Sequence, residues 1–358
     1  MLGNDRLSWA LALATTVAVG CGGGGEAVSS GSGGGGGQGG SSSSMSSSSS
    51  SSSSSGVGGG ASCPTMEGTV LAVRQLYFGE GNSGEWKKVG YNLDDKVSTG
   101  LSKDLCQPNA GGSTQTAYPD GEDGIDNSFG KNLLPTILSL YPKWVEDVNN
   151  GIQNGNFTAL MKLMCLPPEG DVPQLTTKLF GATKLGSTPK WDGTDKWPVE
   201  PGLLNDPMDP ESASILFQNS SVIGATFDAG KNATFILSVP VRTATESTSI
   251  KLTLYSAKLT MTLSDDRKSA TAGMIGGVLN TEEFVAEIKK IGALLKICDN
   301  PLFDNLVLQV RQASDIMSDG TQDPSKTCDG ITMGLGFEMV EAQRGDVGEP
   351  NQVGMACP

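Results

Sequence analysis

The chain contains no histidine among its 358 residues. Without an imidazole group it cannot form Ser-His-Asp or Cys-His catalytic arrangements, nor hold catalytic zinc or haem through histidine. An enzyme built on this sequence would have to use carboxylates, lysine, tyrosine or a carboxylate-bound metal. The composition therefore favours a protein that is not an enzyme, and the hydrolysis of a polysaccharide by two carboxylates is the alternative that it leaves open.

A hydrophobic run long enough to cross a membrane is also lacking. The apolar run 7–19 follows Arg6 and is too short to span a bilayer, so it predicts a secretory signal. The sequence Ala18-Val19-Gly20-Cys21 resembles a bacterial lipobox, in which the cysteine is acylated and becomes the first residue. We therefore expect a signal peptide over 1–20 and a lipid on Cys21, with a soluble secreted protein as the alternative.

The residues that follow Cys21 have almost no apolar side chains. The stretch 22–62 consists nearly entirely of glycine and serine, a composition that predicts disorder. A flexible chain of this length has a root-mean-square reach of roughly 35 Å. The expected organisation is a lipid-anchored linker over 21–62 and a folded extracytoplasmic domain over 63–358, displayed on the bacterial cell envelope, at the outer membrane.

Positive charge is scarce: 25 lysines and arginines face 39 acidic residues, for a formal net charge of −14. An acidic protein repels nucleic acid and anionic lipid, so we expect no nucleic-acid partner. The expected partners are the membrane, through the lipid on Cys21, and a glycan or another surface protein.

No pair of cysteines has the CxxC spacing of a zinc or redox site. Apart from Cys21 the chain has six cysteines, an even number that in an exported protein predicts three disulfides. These cysteines are Cys63, Cys106, Cys165, Cys298, Cys328 and Cys357. Among the fifteen possible connectivities, a bond between Cys298 and Cys328 would clamp the second C-terminal helix, and we predict that pair.

The patterning of the folded domain is mostly that of β-strands. Runs of β-branched and aromatic residues predict strands over 69–78, 157–166, 172–180, 213–218, 221–228, 233–241, 248–263, 268–278 and 331–340, and 86–93 is a further candidate. The stretch 250–263 alternates apolar and polar residues, which predicts a strand with one buried face. Helical periodicity marks 133–149, where Pro142 should break the helix, and 302–317. Asn280 or Thr281, followed by two glutamates, predicts the start of a further helix before the apolar-periodic run that follows. These elements predict a mainly β fold, an antiparallel sandwich or partly closed barrel with two or three peripheral helices.

The stretch 118–130 concentrates acidic residues between glycine turns. Its Asp-Gly steps could gather oxygen ligands around Ca²⁺. The candidate ligands are Asp120, Glu122, Asp123, Asp126 and Asn127, and Asp94 and Asp95 could add one from outside the loop. Alternatively the carboxylates are solvated, and Asn127 or Ser128 caps the following helix.

Two tryptophans, Trp191 and Trp197, lie beside Asp192 and Asp195 in the stretch 190–198. Flat aromatic rings next to carboxylates are typical of sugar-binding platforms. The same pattern also fits a loop that is pinned to the core by its tryptophans, and this second interpretation is the one that we favour.

Several of these motifs together resemble uncharacterised surface lipoproteins of the kind common in myxobacteria. The resemblance rests on the lipobox, the Gly/Ser linker and the segments 92–94, 120–130, 276–283 and 328–337, and it covers most of the chain. It implies a surface lipoprotein and supplies no catalytic residues. The sequence thus predicts a displayed, non-enzymatic domain that binds a ligand, glycan or partner, with a candidate structural calcium site in the stretch 118–130. The alternative is a carboxylate-dependent glycoside hydrolase.

Overall fold

The computed structural model describes residues 68–81, 84–230, 233–242, 246–351 and 353–358. These residues form eleven strands in one sheet. The strands are β1 Gly68–Tyr77, β2 Thr158–Met164, β3 Val172–Ala182, β4 Lys196–Val199, β5 Ile215–Ile223, β6 Thr226–Asp228, β7 Ala233–Arg242, β8 Ser247–Leu263, β9 Ser269–Asn280, β10 Gly330–Glu341 and β11 Gln343–Val347. The predicted signal peptide, Cys21, the linker and Cys63 lie outside the described residues.

The same part of the chain contains five α-helices, more than the two or three predicted. They are α1 Thr114–Ala117, α2 Leu134–Leu140, α3 Trp144–Gln153, α4 Thr281–Leu294 and α5 Pro301–Gln312. A π-helical turn, Phe129–Leu133, leads directly into α2. The predicted break at Pro142 is confirmed, because α2 ends at Leu140 and α3 begins at Trp144.

Eight antiparallel strands pair in a ring. The ring runs from β3 through β2, β1, β10, β9, β8, β6 and β5, and β5 pairs with β3 again. At β6 the ring is joined by only three residues, and β7 continues the pairing along the rest of β8. The predicted mainly β architecture is therefore confirmed, as a sheet that curls into a partly closed barrel.

Apolar side chains fill the inside of the ring. Leu71, Met161, Leu179, Leu259 and Leu335 come from five different strands and are each at most 2% exposed. The void between the interior side chains measures about 10 Å³, roughly the space needed by one water molecule. The ring is thus a packed core, and this void is too small to hold an organic ligand.

A second apolar layer lies on the outer face of the sheet. Leu160, Phe180 and Trp197 are buried there under the loop 200–214. Lys162 and Lys178 occupy directly opposite positions on β2 and β3, and the carboxylate of Glu211, from that loop, contacts both ammonium groups at 2.6 and 3.2 Å. Arg344 Nε contacts the same carboxylate at 3.1 Å. Because like charges facing each other destabilise a sheet, Glu211 offsets a repulsion that this layer would otherwise contain.

Of two predictions about local structure, one is confirmed and the other is wrong. Asn280 does cap α4, since its side chain accepts hydrogen bonds from the amides of Glu282 and Glu283. The predicted strand 86–93 is wrong: Glu85–Lys88 is a 3₁₀ turn, and only Tyr91 forms a β-bridge, to Asp126. The reason is tertiary, because this segment crosses the outer face of β9 and β10 and does not pair beside them.

The predicted disulfide between Cys298 and Cys328 is wrong. Cys328 is bonded to Cys106 and Cys298 to Cys357, with Cα–Cα distances of 5.1 and 5.3 Å. Residue Cys328 is held beside Cys106 because its amide donates to the carbonyl of Gln107 at 2.8 Å. The C-terminal tail returns along α4, where the amide of Cys357 donates to the carbonyl of Lys289 at 3.0 Å. Cys165 also takes part in a disulfide.

Candidate functional site

The segment 84–131, which we call the strap, carries the acidic stretch across the outside of the barrel. Gly334 of β10 and Gly276 of β9 are direct partners in the sheet. A β-carbon on Gly334 would collide with the carbonyl of Val89, and one on Gly276 would lie 3.0 Å from the ring of Tyr91. The two glycines therefore leave a groove in which residues 89–91 of the strap lie close to the sheet backbone.

Asn127 fastens the acidic stretch to this groove. Its amide nitrogen donates to the carbonyl of Val89 at 2.9 Å, and its oxygen accepts from the amides of Gly130 and Gly334 at 2.8 and 3.1 Å. The residue is only 2% exposed. Asn127 therefore serves as a structural bracket, and both ends of its side chain are occupied by backbone groups.

Three aspartates of the strap and one that follows α5 influence one another. Asp126 accepts from the amide of Leu93 at 2.7 Å and shares a side-chain hydrogen bond with Asp120, which accepts from the amide of Ser98. The charges of Asp94 and Asp315 act on Asp126, and the two oxygens of Asp315 accept from the amide and the hydroxyl of Thr332 at 2.9 and 2.6 Å. The structure thus brings two of the predicted ligands together with Asp94 and Asp315.

Burial and mutual repulsion disfavour the ionised forms of these carboxyl groups. Burial, followed by the charges of Asp94 and Asp315, raises the pKa of Asp126 to about 9. Burial is also the main cause that raises the pKa of Asp120 to about 6 and of Asp315 to about 7, and the hydrogen bonds from Ser98 and Thr332 oppose these shifts. Around neutral pH the group therefore retains protons that ordinary aspartates would have lost.

Lys131 is the cation next to this group. Its ammonium donates to the carbonyl of Pro119 at 2.9 Å and lies 5.7 Å from the ring centroid of Trp86. Burial lowers the pKa of Lys131 to about 8, although the charges of Asp315 and Asp120 oppose that shift. One half-buried ammonium thus balances part of the charge of four carboxyl groups.

The remaining predicted calcium ligands point elsewhere. Glu122 and Asp123 are exposed, and Asp123 adopts a left-handed backbone conformation in a tight turn. Among the residues that the structure describes, no set of three or more acidic or cysteine side chains is arranged to hold a metal ion. The sequence therefore identified the acidic stretch. It did not indicate that Asp315 and Lys131 lie next to it, because their positions depend on tertiary packing.

The spacing of the Asp120–Asp126 pair differs from that of a glycosidase. The two carboxyl groups are hydrogen-bonded to each other, whereas the acid and its partner in a glycosidase are separated by roughly 5 Å or more. Each carboxyl is also bonded to a backbone amide of the strap. This pair therefore fits a structural role better than hydrolysis of a sugar.

The tryptophans of the proposed sugar platform are packed inward. Trp197 is 0% exposed in the outer apolar layer, and its ring centroid lies 5.8 Å from that of Trp191. Asp195 closes the loop by accepting from the amides of Lys190 and Trp191 at 3.0 and 2.7 Å. Because a stacking platform needs an open ring face, Trp197 cannot bind a sugar in this conformation. The packing of Trp197 matches the interpretation favoured from the sequence, a loop pinned to the core by its tryptophans.

A separate cleft of about 450 Å³ lies between α2 and α5. Leu140 lines it from α2, Ile297 from the turn after α4, and Leu302, Phe303 and Leu306 from α5. The other lining side chains are leucine, serine, threonine, asparagine and glutamine, so none of the described residues around it is charged. Its volume lies within the range of small-molecule sites, and clefts between helices are among the places where such sites occur.

Comparison of the chain with protein-family models, with curated proteins and with solved structures finds no match. Among the described residues, no helix has the length and hydropathy needed to cross a membrane. The function must therefore be argued from the site geometry itself.

Proposed function

We propose that the protein is a lipid-anchored, surface-displayed binding protein, and that its ligand occupies the cleft between α2 and α5. The cleft is the observation that carries this proposal, because it combines a volume of about 450 Å³ with an apolar lining that includes Phe303 and Leu306. The packed barrel interior, with its void of about 10 Å³, leaves the outside of the fold for binding.

The acidic group has a different part in this proposal. Asp120 and Asp126 hold the strap through the amides of Ser98 and Leu93, and Asp315 holds Thr332 of β10. Asp120 and Asp126 thus bond parts of the strap to each other, and Asp315 bonds to the sheet on which the strap lies. The protein therefore acts by binding and display, and no catalytic residue is assigned.

Binding is tested by screening neutral small molecules and glycans against the mature chain with Cys21→Ser, using thermal shift as the readout. The double variant Leu302→Gln and Leu308→Gln is screened in parallel, because both side chains line the cleft and are exposed. We expect ligands that stabilise the first chain and not the double variant. Ligands that stabilise both chains equally would place binding elsewhere and contradict the proposal.

The anchor is tested separately by cell fractionation. Cys21 is the lipobox cysteine of the sequence, and acyl chains on it would hold the protein on a membrane. Replacing Cys21 with serine should move the exported protein from the membrane fraction to the soluble fraction. Continued fractionation of Cys21→Ser with membranes would contradict lipid anchoring without bearing on the cleft.

A further inference from the structure

The cleft between α2 and α5 is elongated along α5. Leu302, Leu306 and Gln309 lie on one face of that helix at i, i+4 and i+7, and Gln312 continues the lining. Ten residues of helix correspond to a length of about 15 Å. The opposite wall comes from α2, whose residues Thr136, Ser139 and Leu140 follow the same helical spacing. A ligand that follows the lining from Leu302 to Gln312 therefore extends along α5.

The lining also limits the charge of the ligand. The chain as a whole carries a net charge of −14, but the cleft is lined without any charged side chain. A charged group placed there would lose hydration and gain no opposite charge in return. The part of the ligand that lies in the cleft is therefore uncharged.

The floor and the rim of the cleft differ in their exposure to solvent. Phe303 in the floor is 4% exposed, whereas Leu302, Leu308 and Leu140 at the rim are 57%, 45% and 45% exposed. Exposed large apolar side chains gathered along a single cleft mark a binding surface. The amides of Asn305 and Gln309 are exposed at the same rim, where they can bond to a polar head group.

We propose that this cleft binds the single hydrocarbon chain of a neutral monoacyl lipid. The inference rests on the proposed binding function and names the ligand class for the same cleft. An apolar chain matches the uncharged floor and the length of α5, and its hydroxyl or ester head meets the rim amides. The ligand is a separate lipid molecule, because an acyl chain on Cys21 is inserted in the bilayer when it serves as the anchor.

The test is calorimetric titration of the mature chain carrying Cys21→Ser with monolaurin, a neutral single-chain lipid. We expect saturable binding of one molecule per chain, with a negative heat-capacity change from the burial of apolar surface. Glycerol, which supplies the head group alone, should not bind. Absence of saturable monolaurin binding, or equal binding of glycerol, would overturn the proposal.

Matched variants locate the site. The double variant Leu302→Gln and Leu308→Gln should weaken monolaurin binding at least about tenfold, because both exposed leucines line the cleft. The control Leu101→Gln changes a leucine that is 80% exposed and lies outside the cleft, and it should leave binding unchanged. Equal binding by the double variant and the control would overturn the assignment.

Two other occupants give distinct results. If a second copy of the chain covers the cleft, sedimentation shows a dimer of the original chain and a monomer of the double variant, and monolaurin does not dissociate the dimer. This result overturns the proposal. If the acyl chain on Cys21 fills the cleft, the lipidated chain in detergent-free solution fails to bind monolaurin while Cys21→Ser binds it, which overturns the separate lipid as the occupant. If a neutral ligand of another class binds the original chain and not the double variant, the proposed binding function is supported and the inference of a monoacyl lipid is contradicted.

Discussion

Gly334 on β10 and Val89 on the strap are in direct contact, because a β-carbon on Gly334 would collide with the carbonyl of Val89. The same carbonyl accepts a hydrogen bond from Asn127, whose own oxygen accepts from the amide of Gly334. Three residues that are far apart in the sequence thus fix the strap at one point of the sheet.

Replacing Gly334 with alanine should displace the strap and lower the free energy of unfolding by about 2–3 kcal/mol, as overpacking against rigid backbone does. The matched control is Gly336→Ala on the same strand, where the added carbon would approach the side chain of Tyr77 at 3.2 Å and the carbonyl of Gly273 at 3.7 Å, an ordinary contact. Urea unfolding measures both variants. An equal loss of stability for the two would show that the strap does not depend on this contact.

The raised pKa values of the acidic group predict a loss of stability toward alkaline pH. The folded-state pKa values of Asp120, Asp315 and Asp126 are raised to about 6, 7 and 9, above that of an ordinary aspartate. From about pH 5 to about pH 8 the folded state therefore binds more protons than the unfolded state, and the free energy of unfolding falls as pH rises. We expect the melting temperature to decline over this interval, and the lowered pKa of Lys131, about 8, opposes the decline at higher pH.

The variant Asp126→Asn separates this effect from general alkaline unfolding. Asparagine can still accept from the amide of Leu93 and donate to Asp120, but it does not ionise. In chelator it should exceed the original chain in stability by ~1 kcal/mol or more at alkaline pH, and the difference should shrink toward acid. Greater stability of the original chain at about pH 9 would contradict this account.

Glu211 should contribute to stability through the cations that share its carboxylate. Glu211→Gln keeps the shape of the side chain but removes the charge between the opposed Lys162 and Lys178. We expect a loss of about 1–3 kcal/mol, because these groups are partly shielded from water. The control Glu122→Gln removes an exposed acid and should change stability by less than about 0.5 kcal/mol. Comparable losses in the two variants would contradict a special role for Glu211.

Calcium binding by the strap stays a prediction from the sequence, and the geometry gives it a pH dependence. Because Asp120 and Asp126 are bonded to each other and their pKa values are raised, Ca²⁺ would have to displace the proton that they retain. We expect Ca²⁺ to raise the melting temperature at about pH 9 and not at about pH 5, and to act more strongly than Mg²⁺. Melting curves that are indifferent to Ca²⁺ at both pH values would exclude the site.

The fold was largely predictable because its signals are local. The alternation of apolar residues along β8 and the capping position of Asn280 each arise within a few residues, and the structure contains both features where the patterns predict them. The helix break at Pro142 has the same origin, since proline lacks the amide that continues a helix. The strand 86–93 failed as a prediction because its conformation is set by β9 and β10, which are distant in sequence.

The sequence by itself determined the β-rich character of the domain, the absence of histidine chemistry and the place of the acidic stretch. Only the tertiary structure decided which cysteines pair, that Asp315 lies beside Asp126, and that α2 faces α5 across an uncharged cleft. The physical reason is that periodicity records which face of an element is buried, but not which distant element covers it. Those partners follow from how the whole chain packs around the barrel.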